Sequence, residues 1–403
     1  MFFFNIKMSN KAAKFNMEDL TLNDITKRMG YRRRREEEKK GIHWGQRKLL
    51  LSEIEFLTIC WNPTTVPNPL CVYAGAAPGT HIPILSMLFP SIVFHLYDPR
   101  EFSIKATDKI TIYQEYFTDD VAQRYANRSD VFFICDIRTA CYSDIETKKL
   151  SSFGIRKFDN RGNPIGNQQL IRKAHKEAQV ENEDQIWVDM TMQQNWVMIM
   201  NPEEAFLKFR LPYALDGKDR IVQYLQGMVY WQAWAPQTST ETRLKPFRNA
   251  SGVYEAKDWS ILEYEEWCFY HNVVEREQTK YLNPLTNTTA PIDPPELLND
   301  YDSTAEAYIL KLYYEKFAVQ DTYPGISNQQ TLDKLKSDVV NLSRYITRYI
   351  SANQSTKLTL ASLRASPTKS ANRRAMGTCT KKPSYQHTKV VMNPTWRRFT
   401  SPN

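Results

Sequence analysis

No apolar run in this chain approaches the ~20 residues needed to cross a bilayer, and Met1-Phe2-Phe3-Phe4 is too short for a secretory leader. The six cysteines (Cys60, Cys71, Cys135, Cys141, Cys268, Cys379) contain no CxxC pair, and several sit in apolar runs. That pattern predicts buried, reduced thiols rather than disulfides or a metal site, and an intracellular compartment. There is no GxGxxG, so a dinucleotide with its pyrophosphate is not the first reading, and there is no internal repeat. Acid is missing altogether from residues 351–403, which carry ten Lys and Arg; the remainder has 43 basic and 45 acidic residues, a net of −2. The formal charge of +8 therefore belongs to the tail. Such a tail is either an electrostatic handle for phosphates or a disordered solubilising segment. Against these absences stand 403 residues with 42% hydrophobic and 12% aromatic content, enough for one large α/β domain with extensions or two modest ones.

The most informative stretch is Cys71-Val72-Tyr73-Ala74-Gly75-Ala76-Ala77-Pro78-Gly79-Thr80-His81-Ile82. An apolar strand runs into a small-residue turn and then a helix start, which lets a ligand approach the backbone at a strand's carboxyl end. A second strand, Ser91 to Tyr97, ends on Asp98, where a βαβ nucleotide site grips ribose hydroxyls. An adenosyl ligand without a pyrophosphate fits this pattern, S-adenosylmethionine being the obvious one. Val131-Phe132-Phe133-Ile134-Cys135-Asp136 is a buried strand ending in a carboxylate, a position that points to use because an unpartnered buried acid is costly. Around these lie an exposed arm (1–40) with a block of Arg at 32–35, an amphipathic helix from Gly45 to Ile59, and a charged insertion at about 143–184 with one helix near 168–178. A helix near 188–194, strands at 196–200, 205–210 and 227–231, and helices at 259–277, 303–317 and 328–350 follow. Alternating strands and helices predict a mostly parallel sheet with helices on both faces, a domain over 41–350 and a basic tail over 351–403.

Four ionisable residues stand out along this order: Lys48 opening the first core helix, Asp136, Lys208 inside Ala205-Phe206-Leu207-Lys208-Phe209, and Glu241 in Thr238-Ser239-Thr240-Glu241. Each alone has an ordinary structural explanation. Together with Gly45-Gln46-x-Lys48, Tyr73-x-Gly75-x-Ala77-Pro78-Gly79-Thr80-His81-Ile82, Asp98-x-Arg100 and Asp136-x-Arg138 they form ordered blocks. Asn201-Pro202, Ala235-Pro236-x-x-Ser239-x-Glu241-x-Arg243-Leu244 and Tyr264-Glu265 continue them. In these blocks, from about Gly45 to Arg276, the chain resembles the poxvirus-type cap-specific mRNA (nucleoside-2′-O)-methyltransferase, which is also the stimulatory subunit of a viral poly(A) polymerase.

The resemblance implies a Rossmann-like S-adenosylmethionine-dependent methyltransferase fold from a large DNA virus, acting in the cytoplasmic viral factory or the virion. It implies a tetrad of Lys48, Asp136, Lys208 and Glu241. It implies a cofactor site from Gln46, Tyr73, Gly75, Gly79, Asp98, Arg100, Phe117, Thr118 and Ile137, with Thr118 standing where the family has an apolar residue. A ribose 2′-hydroxyl is a poor nucleophile and needs in-line placement and proton removal. A lysine of ordinary pKa, about 10.4, does that badly unless burial and a nearby cation help; Lys208 is the expected base. For the cap, the resemblance implies Tyr213 and, in the arm, Tyr31 as rings sandwiching a methylated guanine. Glu265 and Asp216 are its carboxylates, and Arg138, Arg210, Ser239 and Arg243 are contacts to the transcript. Capped mRNA is the implied partner, with the poly(A) polymerase catalytic subunit as a second. A non-catalytic polymerase subunit and a methyltransferase for uncapped structural RNA remain open alternatives.

Overall fold

Strands that bury both faces need apolar residues at every position, and two runs supply them. Leu70–Ala74 (β1) and Val131–Cys135 (β4) are buried throughout and pair in parallel at the sheet's centre. The computed structural model describes residues 12–32, 34, 44–292, 300–317 and 329–352; the basic tail beyond 352 and the run 35–43 lie outside them. In chain order the other elements begin with α1 (Gly45–Cys60), α2 (Ile82–Leu88), β2 (Val93–Tyr97), β3 (Ile110–Tyr113) and α3 (Asp119–Gln123). After β4 come α4 (Tyr142–Ser152), a small hairpin of β5 (Lys157–Phe158) and β6 (Pro164–Ile165), α5 (Gln168–Met200) and β7 (Glu204–Phe209). The chain continues through β8 (Ile221–Leu225), β9 (Gly227–Tyr230), β10 (Thr242–Pro246), β11 (Ala256–Ser260) and α6 (Ile261–Tyr270). A π turn, His271–Glu275, extends α6, and α7 (Tyr301–Phe317) and α8 (Gln329–Ala352) follow.

The main sheet has seven strands in the order β3-β2-β1-β4-β7-β10-β9, parallel as far as β7 and antiparallel beyond it. This is the expected α/β Rossmann-like fold, with a mostly parallel central sheet. Strand order reverses between β1 and β4, the place where such sheets open a crevice at their carboxyl ends. Register makes the ends level. Ala74 pairs with both Tyr97 and Cys135, Cys135 with Leu207, and Lys208 with Arg243. The residues one step on, Asp98 and Asp136, thus emerge beside Gly75 and Lys208.

Several elements differ from their sequence reading. α1 is not amphipathic: from Arg47 to Thr58 nearly every residue is buried, because α7 and α8 cover the side facing away from the sheet. The insertion has no separate helix and strand after it. α5 is one helix of 33 residues, and the expected strand at 196–200 is its last turns, burying Trp196, Val197 and Met200. A short apolar run reads equally well at either period, and only continuity with the helix behind it decides. The arm is not simply exposed. Phe15 and Leu20 are buried, Phe15 among the rings of Tyr281, Tyr301 and Tyr308, and Leu22 and Trp231 exchange backbone hydrogen bonds with the facing segments, covering the edge strand β9.

Gly75 shows how tight the crevice is. Its φ is +83°, and a Cβ there would lie 2.7 Å from the Asp136 carbonyl carbon and the Ile137 nitrogen, backbone atoms that cannot swing aside. Gly75→Ala should therefore lower stability by about 2 kcal/mol or more, read as a fall in the urea midpoint. Gly217→Ala, at φ +71° with nothing within 4 Å, should lose only about 1 kcal/mol of left-handed backbone strain.

Candidate active site

Lys48 on α1, Asp136 just after β4, Lys208 on β7 and Glu241 just before β10 meet at one point. Lys48, in the first turn of α1, donates to Glu241 Oε1 at 2.5 Å. Lys208, on β7, lies 3.1 Å from Asp136 Oδ1 and 3.5 Å from Glu241 Oε2. Two further cations join them: Arg243 donates to Asp136 Oδ1 at 2.6 Å and Arg138 to Glu241 Oε2 at 3.0 Å. Ser239 Oγ accepts the Glu241 N–H, fixing the loop that carries the carboxylate. The side chains of Lys48, Asp136, Lys208 and Glu241 are 10–17% exposed, so the cluster is the floor of a cleft that a substrate can reach.

Four cations surround two carboxylates, and the titration of the pair follows. Burial pushes Asp136 up, but Arg243 and then Lys208 outweigh it and hold the carboxyl at about 2. Burial likewise opposes ionisation of Glu241, and Lys208, Lys48 and Arg138 bring it well below the usual carboxylate range. Lys48 is drawn below the ordinary lysine value, by burial first, with Glu241 opposing and Arg243 adding to it. The set carries a surplus of two positive charges, which suits an anionic ligand.

On the β1–β2 side, the expected cofactor residues divide into a rim and a backing. Asp98, 3% exposed, accepts from the Ala77 N–H at 3.2 Å and from Arg100 through its backbone N–H, Nε and Nη2 at 2.7–2.9 Å. Arg100 also donates to the Ala77 carbonyl, so this acid–arginine pair ties the Gly75–Gly79 loop to β2. Ile137 lies against Gly75, and Thr118 is exposed at the start of α3, accepting the Val121 N–H. Tyr73 and Phe117 stand behind the rim instead of lining it. Tyr73 is 1% exposed with its hydroxyl on Glu53 at 2.7 Å, and Phe117 packs edge-on to Tyr97 and Trp196. Gln46 reaches the loop's far end, its Oε1 2.6 Å from Thr80 Oγ1 and 3.0 Å from His81 Nδ1.

A second concavity opens on the β7–β10 side. Tyr31, Glu265 and Phe269 line it together with Arg34, Thr240 and Asn272. Tyr213 adjoins it, since its hydroxyl accepts from Thr240 Oγ1 at 3.1 Å. Burial raises the Glu265 carboxyl above the usual range, against a backbone hydrogen bond at Ala214. Asp216 is not among the lining residues: it is exposed and pairs with Arg220 at 2.6 Å. Two residues expected at the transcript are structural in this arrangement. Arg210 gives both terminal nitrogens to Glu183 at 2.7 and 3.0 Å and lies 3.9 Å from the centre of the Tyr213 ring, supporting one of its faces. Arg243 is 2% exposed and turned under Asp136.

Sequence reasoning missed what holds these residues. Glu183, at the end of the insertion, also accepts the Tyr213 N–H, so it sets both the ring and its supporting arginine. Arg47, between Gln46 and Lys48, is fully buried against Glu306 of α7 and donates to Ser343 Oγ at 3.0 Å and Thr347 Oγ1 at 2.7 Å of α8. Trp44 lies 4.3 Å from its guanidinium carbon, and Trp234 Nε1 donates to the same Glu306. No local signal singled it out, since α1 also carries Lys48, Glu53 and Glu55.

Two comparisons with known proteins bear on the resemblance. Residues 15–152 match the family model described as "Poly A polymerase regulatory subunit". The chain is also 25% identical, over 298 residues, to the cap-specific mRNA (nucleoside-2′-O-)-methyltransferase of Fowlpox virus (strain NVSL), a span of 70% of this chain and 79% of the relative. These findings bear out the resemblance to the poxvirus-type protein. The family match begins at Phe15, inside the arm and upstream of Gly45, where the resembling blocks begin.

Two outcomes test this geometry. Glu306→Ala leaves the Arg47 charge buried without its anion and should cost about 3–5 kcal/mol in urea unfolding. The folded pKa of Asp136, about 2, lies below the ordinary aspartate value, so its pairing stabilises at higher pH and is lost as pH falls through the folded value. The stability gap between wild type and Asp136→Asn should be flat above pH ~4.5 and close by about 2 kcal/mol on acidification towards pH ~2.

Proposed function

We propose that this chain transfers a methyl group from S-adenosylmethionine to the ribose 2′-hydroxyl of the first transcribed nucleotide of capped mRNA. The observation that carries the reading is the meeting of Lys48, Asp136, Lys208 and Glu241, far apart in sequence, within 2.5–3.5 Å contacts at the carboxyl ends of β4 and β7. The residues around Gly75 fit an adenosyl ligand. The turn there is built only of Gly, Ala and Pro, two of its glycines hold positive φ, and a carboxylate, Asp98, closes β2 beside it. Gly75, Gly79, Asp98, Arg100, Thr118 and Ile137 would hold the cofactor, backed by Gln46, Tyr73 and Phe117. When bound, it supplies an electrophilic sulfonium methyl.

In this mechanism Lys208, once it has given up its own ammonium proton to solvent, would take the 2′-hydroxyl proton, while the cofactor held around Gly75 and Asp98 would supply the methyl group. Glu241 spans Lys48, Lys208 and Arg138, and Asp136 spans Lys208 and Arg243, so the base is held from two sides. The positive surplus of the cluster favours the negatively charged transcript backbone. Tyr213, supported by Arg210, and Tyr31 offer ring faces for a cationic methylguanine, and the Glu265 carboxyl, which lines the same concavity as Tyr31, would meet its N–H groups. Asp216 would have to leave Arg220 to take part. A second role, association with a poly(A) polymerase catalytic subunit, is favoured by the family match over residues 15–152.

Lys208→Ala should abolish methyl transfer, a loss of at least ~100-fold for a general base, while calorimetry still registers S-adenosylmethionine binding. Short RNAs bearing a 7-methylguanosine cap should be methylated in strong preference to those with an unmethylated cap or a 5′-triphosphate. Equal rates on all three would rule out cap specificity, and retained activity in Lys208→Ala would remove that residue as the base.

A further inference from the structure

The segment between α4 and α5 is built as a separate projection. Leu150, Ile155, Ile171 and Ala174, with Phe153 against them, form a small core of their own, detached from the main one. The β5–β6 hairpin crowns it, with Asp159 accepting from the Arg161 and Asn163 backbone N–H groups to shape the turn. From Phe153 to Lys176 the charge is almost of one sign. Arg156, Lys157, Arg161, Arg172, Lys173 and Lys176 are all exposed, against Asp159 as the one acid. Acids return at its base, where Glu146 lies 3.5 Å from His175 and Glu177 and Glu181 pair with Lys149. Phe158 and Ile165 stand exposed on the hairpin among these cations, at 45% and 53%.

The other end of the same helix reaches the candidate site. Glu183 supports Arg210 and Tyr213, while Asp189 and Gln193 line a cleft with Arg138 and Lys208. Arg172 and Gln193 are 21 residues apart on α5, about 30 Å along a straight helix. We infer that this projection is an RNA-binding prong that takes the phosphate backbone of the transcript several nucleotides downstream of the acceptor ribose, with Phe158 available to stack on an unpaired base. Charge complementarity selects the occupant: a one-signed basic surface carrying an exposed ring, joined rigidly to a cleft that is itself positive, matches single-stranded RNA. The inference rests on the proposed RNA substrate but on none of the residues that perform the transfer. The family match ends at residue 152, just where the prong begins.

The test measures binding, with uncapped RNA, no methyl donor and the full chain. Fluorescence anisotropy compares RNAs of about 4 and about 20 nucleotides for wild type, a neutralised variant (Arg156→Ala, Lys157→Ala, Arg172→Ala, Lys173→Ala, Lys176→Ala) and a charge-keeping one (Lys157→Arg, Lys173→Arg, Lys176→Arg). The neutralised variant should bind the longer RNA about tenfold or more weakly at low salt. Its salt slope should fall by about 3, the shorter RNA should bind as before, and the charge-keeping variant should match wild type. In wild type, 4-thiouridine crosslinks from the longer RNA should map to residues 153–176. Unchanged affinity and slope in the neutralised variant, or crosslinks confined to the cleft and the basic tail, would overturn the inference and leave this face to a protein partner. Because methyl transfer is not read, an inactive enzyme with intact prong binding would sink the proposed function alone.

Discussion

Asp136 and Glu241 are the two anions on which the cleft depends. Around them the fold gathers Lys48, Lys208, Arg138 and Arg243, and a buried cation stripped of its partner costs several kcal/mol. Losing Glu241 would strand Lys48 and Arg138, and losing Asp136 would strand Arg243 and leave Lys208 to Glu241 alone. The pairing also sets geometry: with Asp136 just past the end of β4, Lys208 on β7 and Arg243 on β10, the ion pairs run across three adjacent strands at one level. A shift of register by one residue would turn Lys208 to the opposite face of the sheet.

The same cluster is anchored from behind through α1. Gln46, Arg47 and Lys48 are consecutive yet face three environments: the loop after β1, the carboxy-terminal helices, and the charged floor. Arg47 joins α7 and α8 to the turn that carries the other two, so the helical layer far along the chain fixes the position of residues near its start. Trp234, whose backbone N–H is held by Asp302 and whose ring nitrogen is held by Glu306, extends that tie to the segment just before Glu241. Rigid placement of this kind is what a transfer reaction needs, because most of its rate enhancement comes from holding groups in line.

The two sides of the cleft are built on different principles. Around Gly75 the backbone itself is the surface, small side chains leaving it open and an acid–arginine pair pinning it. Around Tyr213 the surface is a ring, and its support is a buried salt bridge from the insertion helix. Glu183 explains why a segment that reads as a charged insertion is structurally tied to the site: the helix passes beneath the aromatic wall before extending away to the basic projection.

By itself the sequence determined the parallel sheet, through runs such as Val131–Cys135 that only a doubly covered strand can bury, and it marked Gly75, Asp98 and Asp136 at strand ends. It marked Lys48, Lys208 and Glu241 as well, by the order of motif blocks, since no local spacing joins them. Tertiary structure alone decided which charges are spent on one another. Arg210 and Arg243 look like any exposed arginine beside an apolar strand, yet both are consumed by buried acids, and Asp216 reads as a site carboxylate yet pairs with Arg220. It also decided that the arm packs on β9 and that residues 196–200 finish a helix, because long-range burial, absent from any local pattern, outweighs short-range preference.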